Sequence, residues 1–153
     1  MMIVDLPDED ATVALAARIA AAAEPGDVIA LSGPLGAGKT AFARAFIRAR
    51  GGVGEVPSPT FTLVQAYELP GATIWHFDFY RLRQADEAWE LGIEDAFRDG
   101  ISLIEWPERI GSLLPPGRLG IALLPADAPG ARRADIDGGE GWSARLDRIA
   151  AHG

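Results

Sequence analysis

Eight consecutive residues constrain this chain more than the rest of it together. Gly33-Pro34-Leu35-Gly36-Ala37-Gly38-Lys39-Thr40 fits G-x-x-x-x-G-K-[ST] at every fixed position. Such a loop works between a buried strand and a helix N-terminus. Its glycines let backbone N–H groups close around phosphate oxygens, and the helix dipole points at the same anion. The flanks supply both elements. Residues 27–31 form a short apolar run, as a buried parallel strand requires. Beyond the loop, Phe42, Ala45, Phe46 and Ala49 recur at helical spacing, and Gly51-Gly52 ends the helix. The 14 basic residues include one lysine, Lys39, and the others are all arginine. A compact ammonium slips between two phosphates where a planar guanidinium fork does not. The motif predicts that Lys39 reaches the β- and γ-phosphates of a nucleotide and that the Thr40 hydroxyl holds Mg2+.

A length of 153 residues predicts one domain over positions 1–153, large enough for a real core. The formal charge is -8, with no lysine/arginine run. That argues against the chain gripping a nucleic-acid backbone by itself, because such binding rests on neutralising phosphates. With no cysteine, disulfides, thiol catalysis and cysteine zinc sites are excluded, and two histidines cannot build a histidine-rich metal site. The alanine-rich segment 11–23 has an acidic flank and is interrupted by Arg18, so it reads as an amphipathic helix and not as a signal peptide. Nothing reaches transmembrane length, which predicts a cytoplasmic protein without membrane contact.

Along the chain, residues 2–6 read as a strand, followed by the alanine-rich helix. After the glycine loop and its helix, segment 51–59 is rich in Gly and Pro. Residues 61–69 and 73–80 form a hairpin across Pro70-Gly71. Short helices are expected at 86–91 and 93–97. Residues 101–104 are an apolar strand ending in Glu105, 118–124 and 132–137 a second hairpin, and 142–150 a last helix with Trp142, Leu146 and Ile149 on one face. The predicted fold class is α/β: a P-loop NTPase-like three-layer sandwich, its central sheet mixed because of the two hairpins.

Hydrolysis needs more than a phosphate loop. Strand alternation puts His76, Asp78 and Tyr80 on one face. An aspartate among such apolar neighbours needs a cation or a partner, either a catalytic site or Arg81 or a loop amide. Glu105 ends an apolar strand, where an acid reaches Mg2+ or water. Ser58-Pro59-Thr60-Phe61-Thr62 reads either as a switch that senses the γ-phosphate or as a turn with capping hydroxyls. Trp106 reads as a partner anchor or a core aromatic, and His76 as packed rather than catalytic.

In order, the chain carries Leu6-Pro7-Asp8-Glu9, Gly36-Ala37-Gly38-Lys39-Thr40, Ser58-Pro59-Thr60-Phe61-Thr62-Leu63-Val64, His76-Phe77-Asp78-Phe79-Tyr80-Arg81-Leu82, Leu91-Gly92-Ile93 and Ile104-Glu105-Trp106-Pro107. This set resembles the TsaE (YjeE) family, the bacterial ATPase of tRNA threonylcarbamoyladenosine biosynthesis, from about Leu6 to about Pro107. The resemblance implies ATP and Mg2+ as cofactors, with residues 36–41 and Gly33 around the phosphates and Thr40 and Glu105 on the metal. It further implies that Asp78 supports hydrolysis, that Glu9 lies near the nucleoside and that Thr60 belongs to the nucleotide site. An arginine of the last hairpin, Arg132 or Arg133, would touch nucleotide. The implied partners are TsaB and TsaD, with tRNA reached only through their complex.

Two other functions fit a glycine loop. A small-molecule P-loop kinase needs an acceptor site and an arginine-bearing lid, and no long insertion supplies one. A GTP-driven switch needs an N-K-x-D segment, which a chain with no asparagine and no second lysine does not have.

Overall fold

A computed structural model describes residues 1–152 other than 55, 58, 60 and 61. It is an α/β sandwich around a seven-stranded mixed sheet: β1 (Met2–Leu6), β2 (Val28–Ser32), β3 (Val64–Leu69), β4 (Ala72–Asp78), β5 (Ile101–Glu105), β6 (Leu119–Pro125) and β7 (Arg132–Gly138). The spatial order is β1-β7-β6-β2-β5-β4-β3. The four central strands, β6, β2, β5 and β4, run parallel, and the hairpin partners β3 and β7, with β1, add antiparallel edges.

Period-two alternation splits the core. Ile29 and Leu31 of β2, with Ile101 and Leu103 of β5, face α1 (Glu9–Ala22), α2 (Lys39–Ala49) and α5 (Ser143–His152). Val28, Ile104 and Phe77 face the other way, toward α3 (Glu87–Glu90) and α4 (Ile93–Asp99). Cover on both faces is why β2 and β5 read as unbroken apolar runs and not as alternating ones.

Helix boundaries follow from caps. Asp8 accepts a hydrogen bond from the Ala11 amide at 2.9 Å, so α1 starts ahead of its alanine run. α2 closes where Gly51, at φ +110°, lets the Gly52 amide reach back to the Ile47 carbonyl at 3.0 Å. Trp142, expected to open the last helix, is buried but sits in a 3-10 turn (Glu140–Trp142) that precedes α5. The arginines act as backbone clamps. Arg50 donates to the Ala20 and Ala23 carbonyls at the end of α1, and Arg145 pairs with Asp27 at 2.6 and 3.1 Å while donating to the Ala22 carbonyl. A guanidinium fork suits such multiple acceptors, which is the structural use of an arginine-only surface. Among the described residues no helix is long and apolar enough to cross a membrane.

Candidate functional site

β2, β5 and β4 are adjacent and parallel, so their C-terminal ends open on the same edge of the sheet, where α/β proteins build ligand sites. The glycine loop leaves β2 at that edge. Gly33 has φ +137°, and a Cβ there would stand 2.2 Å from the Leu123 carbonyl oxygen of β6. Only glycine lets the loop turn this close to the next strand. Gly38, at φ +99°, begins α2 with no side-chain cap and no acidic residue in the first turn. The helix therefore presents its leading N–H groups and positive dipole end to the cleft.

Lys39 is 5% exposed. Its Nζ donates to the Gly33 carbonyl at 2.7 Å and the Pro34 carbonyl at 2.9 Å, and lies 4.2 Å from the centroid of the Trp106 ring. Burial pushes the ammonium below its ordinary pKa, and the negative charges of Glu105, Glu108 and Asp78 oppose that shift. Trp106 reaches this position through a left-handed backbone, φ +59°, which a bulky residue adopts only when its surroundings hold it there. Half-buried, it packs against the core on the α3–α4 side while its ring covers the lysine and stacks against Tyr80 with centroids 4.9 Å apart.

Two acids meet the loop. Asp78 and Glu105 are direct register partners at the ends of β4 and β5. Both are buried, at 5% and 3% exposure. Glu105 Oε1 accepts from the Thr40 hydroxyl at 2.8 Å, and Oε2 lies 2.6 Å from His76 Nε2. Asp78 Oδ1 accepts from the Tyr80 amide at 3.0 Å, so the loop-amide partner expected for it is present. Lys39, Thr40, Asp78 and Glu105 share a cleft of about 370 Å³ with residues of the loop, including Gly36, Ala37 and Gly38, and with Ala41, Tyr80 and Trp106.

A second recess, about 340 Å³, adjoins the first through Gly38 and Ala41 and brings Glu9 together with Thr12 and Arg132. Here the two candidate arginines separate. Arg132 donates to the carbonyls of Gly36 and Ala37, both at 3.0 Å, whereas Arg133 turns away to pair with Asp135. Thr60 and Ser58 lie outside the described residues.

Residues 6–134 match the family described as Threonylcarbamoyl adenosine biosynthesis protein TsaE. The chain belongs to the TsaE family. It is 44% identical over 112 residues to a "tRNA threonylcarbamoyladenosine biosynthesis protein TsaE" of Rickettsia felis, an alignment covering 72% of this chain and 66% of that protein. A protein of the same name from Rickettsia conorii is 42% identical, over 80% of this chain and 70% of that one. The chain thus spans about two thirds of the length of these relatives. The fold is similar to the crystal structure of Bacillus subtilis YdiB, with a TM-score of 0.79 and 29% identity, covering 99% of this chain and 95% of that one.

The family match extends past Pro107 into β7, farther than the motifs alone indicated. In this TsaE-family chain Lys39, Thr40, Asp78 and Glu105, the residues the motifs pointed to, line one cleft. The motifs did not indicate Trp106 as the lysine's cover or His76 as the partner of Glu105. A signal for the second was available: a histidine in an apolar strand, two positions before the aspartate, needs a buried polar partner.

Proposed function

We propose that this chain is a Mg2+-dependent ATPase, one P-loop domain over residues 1–153, that supports threonylcarbamoylation of the tRNA adenosine next to the anticodon by acting on a TsaB–TsaD complex in the cytoplasm. The observation that carries the reading is the convergence of Lys39, Thr40, Glu105 and Asp78 on one cleft at the N-terminus of α2. The relatives named above carry the tRNA pathway in their names.

In this reading the N–H groups of residues 36–41 and Gly33 cradle the phosphates, and the adjoining recess with Glu9 takes the nucleoside. Lys39 exchanges its two loop carbonyls for phosphate oxygens, releasing a charge already poised in a low-dielectric cleft. Arg132 holds the loop carbonyls outward, so that the amides face the anion. Magnesium fits the donors present. Thr40 Oγ1 and Glu105 Oε1 are hard oxygens 2.8 Å apart, and Mg2+ is commonly held by one or two carboxylate or hydroxyl oxygens together with substrate phosphates. When bound, the ion supplies charge neutralisation on the phosphoryl oxygens. Asp78, one strand over, supports hydrolysis.

The test is a nucleotide screen with phosphate-release detection, with Mg2+ present or chelated, and with and without small acceptors. Slow Mg2+-dependent phosphate release from ATP, independent of acceptors, supports the reading. Phosphate transferred to an acceptor, or a preference for GTP, overturns it.

A further inference from the structure

Glu105 is held from two sides, and the glycine-loop motif accounts for only one of them. Its Oε1 takes the Thr40 hydroxyl, and its Oε2 is 2.6 Å from His76 Nε2. His76 is completely buried on β4, between Ile74 and Asp78 on the face that α2 covers, and its register partner on β5 is Leu103. Packing alone does not call for an imidazole there. An aliphatic side chain like its neighbours would fill the position without a polar atom to satisfy. The other ring nitrogen, Nδ1, has no hydrogen-bond partner among the described residues. That assigns the roles. Nε2–H donates to the carboxylate, and Nδ1 is left as a bare acceptor. The opposite tautomer would bury an unpaired N–H and turn a lone pair on a carboxylate oxygen, losing on both counts.

We propose that His76 is the positioning residue of Glu105: its Nε2–H pins Oε2 from inside the core, so that Oε1 stays directed at Thr40 and the cation. The inference rests on the reading of Glu105 as a Mg2+ ligand. A glutamate has three side-chain torsions, and a hydroxyl at the cleft wall fixes only one of its oxygens. A ring immobilised by packing on β4 fixes the other, and the shared register of β4 and β5 sets the distance between them. Hydrogen bonds to metal-ligating groups of this kind are typically worth about 10–100-fold in metal affinity or activity.

Two polar substitutions separate positioning from mere filling. His76→Gln places an amide N–H near the site of Nε2, whereas His76→Asn places it near Nδ1 and leaves Glu105 unpinned. The readout is calorimetric binding of a non-hydrolysable ATP analogue, with Mg2+ and with chelator. His76→Asn is expected to lose at least about tenfold of the affinity gained from Mg2+ while metal-free binding stays within about twofold of wild type. His76→Gln is expected to keep most of the Mg2+ gain. An unchanged Mg2+ gain in the Asn variant, or equal losses in the Asn and Gln variants, overturns the inference alone. A wild-type chain with no Mg2+ gain at all overturns the metal reading of Glu105, and this inference with it.

Discussion

Burial works against the Lys39 ammonium, and the negative charges of Glu105, Glu108 and Asp78 only partly offset it. Between the lowered native pKa and the ordinary 10.5, the unfolded chain binds more protons than the native one, so this group's contribution to stability rises with pH across that window. The unfolding free energy of the wild type should therefore gain on that of Lys39→Met as pH climbs from neutral toward that upper value. Denaturant titrations at several pH values check it, and a flat difference would mean that burial does not govern this lysine. The same variant should lose at least about tenfold in ATP affinity, since a hydrogen bond to a charged group is worth about 1.5–3 kcal/mol. Calorimetric ATP binding equal to wild type would refute the phosphate role. The two acids should part in their effects. Glu105→Ala is expected to weaken Mg2+-dependent nucleotide binding more than metal-free binding, because it removes the carboxylate read as a Mg2+ ligand beside Thr40. Asp78→Asn should bind ATP and turn it over more slowly. The reverse pattern would swap their roles.

At the scale of elements, the site is a consequence of parallel strand ends meeting one helix start. Its weak point is the exit from β2. Gly33→Ala combines a left-handed backbone, unfavourable by about 1–2 kcal/mol for a residue with a Cβ, with a contact of 2.2 Å against the Leu123 carbonyl of β6. It should destabilise the protein by more than that conformational term alone and spread β2 from β6. Gly36→Ala, at φ +79° but with nothing within 4 Å of the added Cβ, should show the conformational term only. Equal unfolding midpoints for the two variants would contradict the close approach. Much of this architecture could be read from local signals. β1 has the expected bounds, β5 runs through its expected terminal acid, and both hairpins form around their turn residues. What stayed hidden depends on register between distant segments. Arg132 and Arg133 are neighbours on opposite faces of β7, and only the pairing of β7 with β6 and β1 decides which one reaches the loop. The His76–Glu105 contact spans 29 positions and exists because β4 and β5 run parallel in one register. Likewise, no sequence rule announces that Trp106 adopts a positive φ and lies over the lysine.

For the whole molecule, the balance of charge and exposure points to work done in company. A formal charge of -8 disfavours direct contact with a phosphate backbone, so the chain alone should bind bare tRNA weakly or not at all at physiological salt. The mouth of the cleft is flanked by apolar groups left in water, Leu35 at 74% and Tyr80 at 42% exposure. With the proposed nucleotide bound, a site open on that side would keep solvent around its phosphates and weaken every electrostatic contact made to them. A partner that covers the mouth, or adds a cation to it, would raise turnover. An arginine supplied in trans accelerates phosphoryl transfer by about 10³–10⁵-fold in phosphate-loop enzymes. Slow ATP hydrolysis by the isolated chain, and faster hydrolysis once TsaB and TsaD are added, is therefore the expected pattern. The decisive assay follows threonylcarbamoylation of tRNA over many turnovers with and without this chain, and with Lys39→Met in its place. Wild type should sustain repeated rounds, and the variant should not, because the proposed role draws its energy from the bound nucleotide. Equal product yield in all three reactions, or tight tRNA binding by the chain alone, would sink the accessory-ATPase role.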